Sequence, residues 1–176
     1  MTIQDLTPGH VEQLGAFFAR LPESDLTFIK LDVSPAVLAG LPAAPGHRWV
    51  DVEDDGTVNG IAALLRLTGW SDHVAELRLG VDPATRGRGI GRKLAQHAVA
   101  HAVRSGLLKV VVEVPAAQER ITEMFLDLGF TGEALLRDHF RDRNGRLQDL
   151  IMLAYLTEQT FESLSAVGMA DVLGGE

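Results

Sequence analysis

The chain has 176 residues, of which 46% are hydrophobic, and it carries a formal net charge of −8. This length suits one domain with a sizeable core, and the acidic balance argues against a nucleic-acid partner, which would need a broad basic surface. The chain has no cysteine, which excludes disulfides, metal thiolates and thiol catalysis. No apolar run approaches the ~20 residues that span a bilayer, and we expect a cytoplasmic protein without a membrane partner.

The first third of the chain predicts a strand, two helices and a hairpin. Thr7 is a suitable N-cap for the first helix, and Ser34 followed by Pro35 begins the second, which ends at Gly40. The stretch at 21–25 breaks the first helix, and Asp54-Asp55-Gly56-Thr57 forms the turn of the hairpin. The strands are predicted at 2–6, 48–52 and 58–67, and the first helix runs through Val11, Leu14, Phe17 and Phe18.

The most informative stretch is a strand, a basic glycine-rich loop and a helix. Residues 75–81 alternate apolar and polar side chains, as a strand does, and a helical apolar pattern then runs to Gly106. Glycines between them favour a sharp turn that exposes backbone N–H groups. Together with the helix N-terminus and the arginines, these groups are suited to a pyrophosphate. The predicted site comprises Arg86, Gly87, Arg88, Gly89, Ile90, Gly91 and Arg92.

Two familiar phosphate motifs do not fit this loop. A dinucleotide fingerprint would need a third glycine where Arg92 stands, and a P-loop would need Gly-Lys-Ser/Thr. The remaining alternative is an ordinary turn whose arginines serve solubility.

The rest of the chain predicts a strand, a helix and two final strands. Residues 107–114 are almost continuously apolar, as in a central strand. Ile121, Met124, Phe125 and Leu128 form the buried stripe of the next helix, which Gly129 ends. Strands follow from Phe130 and over 147–156. We therefore predict one domain at 1–156 in the order β-α-α-β-β-β-α-β-α-β-β, and a helical tail at 157–176.

The segment Arg86-Gly87-Arg88-Gly89-Ile90-Gly91 resembles the Gln/Arg-x-x-Gly-x-Gly/Ala loop of the GNAT acetyltransferases. The resemblance extends over about residues 75–155. It implies a GNAT fold, an α/β (α+β) architecture with a mixed, twisted central sheet flanked by helices, and acetyl-CoA as co-substrate. In that fold the strands at 75–81 and 107–114 splay apart, and the pantetheine arm enters between them. Gly80 marks either the bulge that opens this gap or a site of close packing.

The resemblance also directs the search for catalytic groups. The developing oxyanion needs a donor, for which we expect a backbone N–H among Leu79, Gly80 and Val81. Glu113 and Glu76 are the two candidate bases, one on each strand of the cleft. The segment from Glu113 to Phe130 resembles the matching segment of the bacterial ribosomal-protein alanine N-terminal acetyltransferases. In those proteins a glutamate at the position of Glu113 is the base. Either carboxylate could instead be an ordinary solvent-facing residue.

The chain departs from the family pattern at the leaving-group acid. Phe125 stands where the family often has tyrosine, and the usual asparagine after the second cleft strand is missing. Tyr155, His139 or water are the remaining proton donors. His97 and His101 have i, i+4 spacing but no evident third ligand, so we expect no metal.

Together these features predict an N-acetyltransferase that moves the acetyl group of acetyl-CoA to a primary amine of a small molecule or protein. A non-catalytic acyl-CoA sensor of the same fold is the alternative, favoured by Phe125. We also expect a homodimer formed by an exposed edge of the last strand and by the tail.

Overall fold

A seven-stranded mixed sheet with helices on both faces makes up residues 2–26 and 29–157, the part of the chain that the computed structural model describes. The sheet order is β1-β2-β3-β4-β5-β7-β6, and within it β4 and β5 are parallel whereas the other neighbours are antiparallel. The strands are β1 (Thr2–Asp5), β2 (His47–Val52), β3 (Val58–Arg66), β4 (Val74–Val81), β5 (Lys109–Pro115), β6 (Thr131–Arg141) and β7 (Leu147–Leu156). The helices are α1 (Val11–Arg20), α2 (Glu23–Leu26), α3 (Pro35–Gly40), α4 (Ile90–Arg104) and α5 (Glu119–Asp127).

Helix α4 is the crossover that the parallel pair β4–β5 requires. Its buried residues follow the helical period that the sequence shows: Ile90, Leu94, Ala95, Ala98 and Ala102. The helix lies very close to β3, where a Cβ on Gly60 would stand 2.9 Å from Leu94 Cδ1. Glycine at that position therefore allows the close approach that fixes α4 on the sheet.

Two hydrophobic clusters fill the two faces of the sheet. One joins α4 and α5 to the sheet through residues such as Leu77, Val112 and Phe125. The other joins α1 and α3 to the strands of the N-terminal half and includes the fully buried Phe17. In β2, for example, Trp49 belongs to the first cluster and Val50 to the second, as expected when successive side chains point to opposite faces.

The predicted element order is confirmed with one addition. The stretch at 21–25, which we predicted as a helix break, overlaps the short helix α2. Pro22 immediately precedes this helix, and its carbonyl accepts hydrogen bonds from Asp25 N (2.9 Å) and Leu26 N (3.2 Å). A proline at a helix start is favourable because its missing N–H would have no partner there.

The predicted stripe of α5 is only partly right. Phe125 is buried, Met124 and Leu128 are partly buried, and Ile121 is 40% exposed. The helix therefore contacts the core mainly through its C-terminal half.

The edge that we expected at the last strand is not there. Strand β7 lies between β5 and β6 and pairs with both, so β6 and β1 form the edges of the sheet. Strand β7 is therefore paired on both sides and does not supply the edge that we predicted for a homodimer, and the homodimer itself remains a prediction. Of the tail predicted at 157–176, residues 158–176 lie outside the described residues.

Candidate active site

A wedge between β4 and β5 opens in the middle of the sheet. The two strands pair from Val74 with Lys109 to Glu76 with Val111, and there their ladder ends. Strand β4 then continues along β3 as far as Val81, and β5 continues along β7 as far as Pro115. Because each strand stays with its outer neighbour, the space between them widens from a closed end at Glu76. The splay that the resemblance implied is present.

Gly80 does not mark a bulge. The register between β3 and β4 runs without a shift through the pair of Ile61 and Gly80. A Cβ on Gly80 would contact the Phe17 ring at 3.5 Å and Ile61 Cγ2 at 3.4 Å. Both are ordinary van der Waals distances, so the structure shows neither a bulge nor a close approach that requires glycine at this position.

The loop at the open end of the wedge has the geometry of an anion site. Gly87 and Gly89 both have φ of 79°, in the left-handed region that favours glycine. Helix α4 then begins at Ile90, and its first hydrogen bond runs from Lys93 N to Gly89 O (3.0 Å). The N–H groups before Lys93 have no partner within the helix, so they and the helix dipole can bind an anion. Gly91 lies inside α4 in ordinary contact with Val81 and Met124.

The three arginines of the loop each contact a carboxylate. Arg86 contacts Asp25, Arg88 Nη1 lies 3.4 Å from Glu53 Oε1, and Arg92 Nη2 lies 2.8 Å from Asp127 Oδ2. All three arginine side chains are about half exposed. Exposed ion pairs contribute only about 0–1 kcal/mol, so these arginines can exchange their carboxylates for a phosphate at little cost.

Asp82, which the sequence analysis missed, fixes the exit of β4 into this loop. Its Oδ1 accepts a hydrogen bond from Ala84 N (2.9 Å), and its Oδ2 accepts one from Arg20 Nε (2.6 Å). Arg20 in turn donates to Val58 O (2.7 Å), which ties α1 and β3 to the same point. Burial alone would raise the pKa of Asp82, but the hydrogen bonds from Arg20 and Ala84 hold it below its ordinary value. The sequence signal was an aspartate before proline, a helix-cap pattern.

At the closed end of the wedge, the two candidate bases meet on one ammonium group. Lys30 Nζ lies 2.9 Å from Glu76 Oε1 and also contacts Glu113 Oε2. Arg78 Nη2 donates to the second oxygen of Glu76 at 2.7 Å. The carboxylates are largely covered, with 14% and 19% of their side chains exposed.

The electrostatic setting of Glu76 makes it a weak base. Burial favours a higher pKa, but hydrogen bonds from Arg78 and Lys30 outweigh it and lower the pKa of Glu76. Neither Lys30 nor Arg78 was singled out from the sequence. Lys30 is 46 residues from Glu76 and 83 from Glu113, so no local pattern links them.

The other proton-donor candidates lie in different surroundings. Phe125 is buried, with its ring 5.0 Å from that of Phe130 in an edge-to-face contact. Tyr155 packs on the other side of Phe130, with ring centroids 5.5 Å apart. His139 lies exposed on the edge strand β6.

Three of the six histidines form an aromatic cluster with Trp49 on β2 and α4. The rings of His47 and His101 lie 4.0 Å apart, and Trp49 packs against both His97 and His101. Within the described residues no three His, Cys, Asp or Glu side chains are arranged to hold a metal ion. Nor is any described helix long and apolar enough to span a membrane.

Comparison with known proteins identifies the family. The model of the acetyltransferase (GNAT) family matches residues 16–130. N-alpha-acetyltransferase RimI of Mycobacterium tuberculosis is 32% identical over 108 residues, which are 61% of this chain and 66% of that relative, just under two thirds of its length.

Solved structures share the fold. A GNAT-family acetyltransferase of Streptococcus pneumoniae superposes with a TM-score of 0.78 at 17% identity, covering 89% of this chain and 99% of that one. A phosphinothricin acetyltransferase of Sinorhizobium meliloti, solved in complex with AcCoA, gives 0.77 at 20% identity, covering 88% of this chain and 87% of that one. The family match agrees with the mixed sheet, whose parallel strands β4 and β5 splay apart, and with the glycine loop. This chain is therefore a member of the GNAT acetyltransferase family.

Proposed function

We propose that the protein is an acetyl-CoA-dependent N-acetyltransferase that acts on a primary amine. The observation that carries this proposal is the pair of carboxylates, Glu76 and Glu113, that converge on a single ammonium at the closed end of the wedge. An amine acceptor reaches an enzyme at neutral pH mainly as a cation, since a lysine-like amine has a pKa of about 10.4. Two carboxylates at this point attract that cation and accept its proton.

The open end of the wedge supports acetyl-CoA as the donor. The pyrophosphate would be held by the N–H groups of the loop at Gly87–Ile90, by the N-terminus of α4 and by the arginines. When bound, acetyl-CoA supplies an activated acetyl thioester. Beyond Glu76, strand β4 no longer pairs with β5. This supports a backbone N–H among Leu79, Gly80 and Val81 as the hydrogen-bond donor to the developing oxyanion.

Glu113 is the better candidate for the base. Both oxygens of Glu76 receive hydrogen bonds from cations, which lower its pKa and hold it ionised. We therefore assign the proton acceptance to Glu113 and the positioning of the ammonium to Glu76, whose other oxygen is held by Arg78. The thiolate that leaves has a reference pKa of about 8.5 and can take its proton from water, so phenylalanine at position 125 is compatible with turnover.

The test is a panel of alkylamines, polyamines and peptides incubated with acetyl-CoA and followed by release of free thiol. We expect release with at least one primary amine and none with the same amine after trimethylation, because the quaternary nitrogen has no proton to lose and no lone pair. Calorimetry with CoA measures cofactor binding independently. Tight CoA binding without thiol release from any amine would contradict catalysis and favour the acyl-CoA sensor.

A further inference from the structure

Lys30 stands out because the chain uses lysine so sparingly. Of its 16 Lys and Arg residues, three are lysines: Lys30, Lys93 and Lys109. Lys30 follows α2 and brings its ammonium to Glu76 and Glu113, the two groups to which the proposed function assigns the acceptor amine. Its side chain is 42% exposed, so it can leave this position without unfolding its surroundings.

The main chain around Lys30 is anchored over β4. Arg78 Nη1 donates to Lys30 O at 3.1 Å, while Arg78 Nη2 donates to Glu76. On either side, Ile29 and Leu31 are partly buried against the cluster formed by α1 and α3. The ammonium of Lys30 therefore reaches the closed end of the wedge from a fixed backbone position and not from a freely moving loop end.

We propose that Lys30 occupies the acceptor-amine subsite and is itself acetylated by the protein when no external amine competes. This inference rests on the proposed function, because it uses the same donor and the same base. An intramolecular amine needs no diffusion and no docking, and such proximity strongly favours reaction. External amines must displace Lys30, so the subsite selects acceptors that carry a positive charge.

The chemical step balances with acetyl-CoA as the one co-reactant. The Lys30 ammonium transfers a proton to Glu113, and its nitrogen lone pair then forms a bond to the thioester carbonyl carbon. The carbon–sulfur bond breaks, and its electron pair leaves with the sulfur as CoA thiolate. The nitrogen loses a second proton to water and the thiolate takes one from water, while Glu113 releases the first proton to solvent. The products are N-acetyl-Lys30, CoA and one proton.

The first arm of the test measures this modification directly. The full-length protein is incubated with acetyl-CoA without any amine, and intact mass and peptide mapping locate the acetyl group. We expect at most one acetyl group per chain, on Lys30. Its formation should follow a first-order rate constant that does not depend on protein concentration, as an intramolecular reaction requires. Addition of a primary alkylamine should slow it. Equal acetylation of Lys93, Lys109 or the amino terminus would indicate nonspecific chemistry and overturn the proposal.

Matched variants separate reaction from folding. Lys30→Arg keeps the cation but should abolish the modification, whereas Lys109→Arg, which changes a lysine that pairs with Glu133 on β6, should leave it unchanged. Thermal melting of each variant verifies that it folds. Lys109→Arg losing the modification as completely as Lys30→Arg would contradict the assignment.

The second arm needs no acetyl-CoA. Calorimetry of n-butylamine with the cofactor-free protein should give several-fold tighter binding to Lys30→Met than to wild type, because the competing ammonium is gone. Equal or weaker binding would overturn the proposal. Acetylation of an external amine, together with an unmodified Lys30 in the incubation without amine, would likewise reject the proposal and leave the proposed function intact. Absence of CoA binding would instead reject the proposed function.

Discussion

The two ends of the wedge between β4 and β5 are built in different ways. The open end is a contiguous stretch, residues 82–92, whose binding groups are mainly backbone N–H groups held by glycines with positive φ and by the start of α4. The closed end is formed by side chains from three separate segments, which bring Lys30, Glu76 and Glu113 together over separations of 46 and 83 residues. The proposed phosphate site is thus local in the sequence, whereas the proposed amine site depends on the whole fold.

The two ends also differ in charge. Arginines and a helix N-terminus favour an anion at the open end, and two carboxylates favour a cation at the closed end. In the proposed function, a donor that carries phosphates and an acceptor that carries an ammonium would therefore meet in one orientation. Variants of either end should affect different measurable quantities.

The largest effect is expected from the closed end. Glu113→Gln removes the proposed base and should lower kcat by roughly 10²–10⁴-fold, the usual contribution of general acid–base catalysis. The affinity for CoA, measured by calorimetry, should not change, because the phosphate groups bind at the other end. The loss should shrink as the pH rises, since more of the amine is then already deprotonated.

Glu76→Gln is the matched comparison for that variant. It removes a carboxylate that holds the ammonium but, in our assignment, not the base, so it should raise KM more than it lowers kcat. Full activity of Glu113→Gln together with inactivity of Glu76→Gln would place the base on β4 instead.

The next largest effect is expected on stability at the open end. Asp82→Ala leaves Arg20 and Ala84 N without their partner and should lower the free energy of unfolding by about 1–3 kcal/mol. Asp55→Ala is a matched control, because Asp55 also accepts a hydrogen bond from the backbone N–H two residues ahead, at 2.9 Å, but it is an exposed loop residue. Urea unfolding measures both, and equal losses would contradict the role assigned to Asp82.

The stability that Asp82 contributes should depend on pH in a direction set by the pKa of its carboxyl group. The folded pKa of Asp82 lies below its ordinary value of 3.8, so its contribution is fully present above about pH 4 and is lost as the pH falls through the folded pKa. The stability gap between wild type and Asp82→Asn should therefore narrow on acidification from pH 7 to pH 3. A gap that widens would contradict the direction of the shift.

A smaller effect is expected on CoA affinity from the glycine loop. Gly89→Asp should weaken CoA binding at least about fivefold, because two like charges 4 Å apart repel by about 1 kcal/mol even in bulk water. Gly145→Asp is the control, since Gly145 has φ of 80° against 79° for Gly89 and a Cβ at either meets nothing within 4 Å. Both variants carry the same backbone strain, and only the first should lose affinity in calorimetry. Equal affinities would contradict the phosphate site.

The smallest effect is expected from a single arginine of the loop. Arg92→Ala should change the free energy of unfolding by no more than about 0.5 kcal/mol, since its pair with Asp127 is exposed. It should weaken CoA binding at low salt, and the difference should disappear at 1 M salt, where the Debye length is about 3 Å. Arg104→Ala at the other end of α4 should show no such salt-dependent loss. A loss of equal size in both would indicate a general charge effect.

The sequence by itself determined the features that depend on neighbouring residues. Strand alternation, the stripe of α4 and the glycine loop were predictable, because periodicity, positive φ and helix caps are properties of short segments. Together with the family resemblance they were sufficient for the mixed sheet and its splay, and Glu76 and Glu113 could be named as candidates.

Only the tertiary structure decided what lies beside what. Strand β7 lies inside the sheet because β6 and β7 form a hairpin whose second strand pairs with β5, and no local pattern specifies that order. Ile121 repeats with the helical period yet is exposed, because burial depends on which elements cover the helix. Lys30 and Arg78 look like ordinary surface cations in the sequence, and the chain path alone brings them to the two carboxylates.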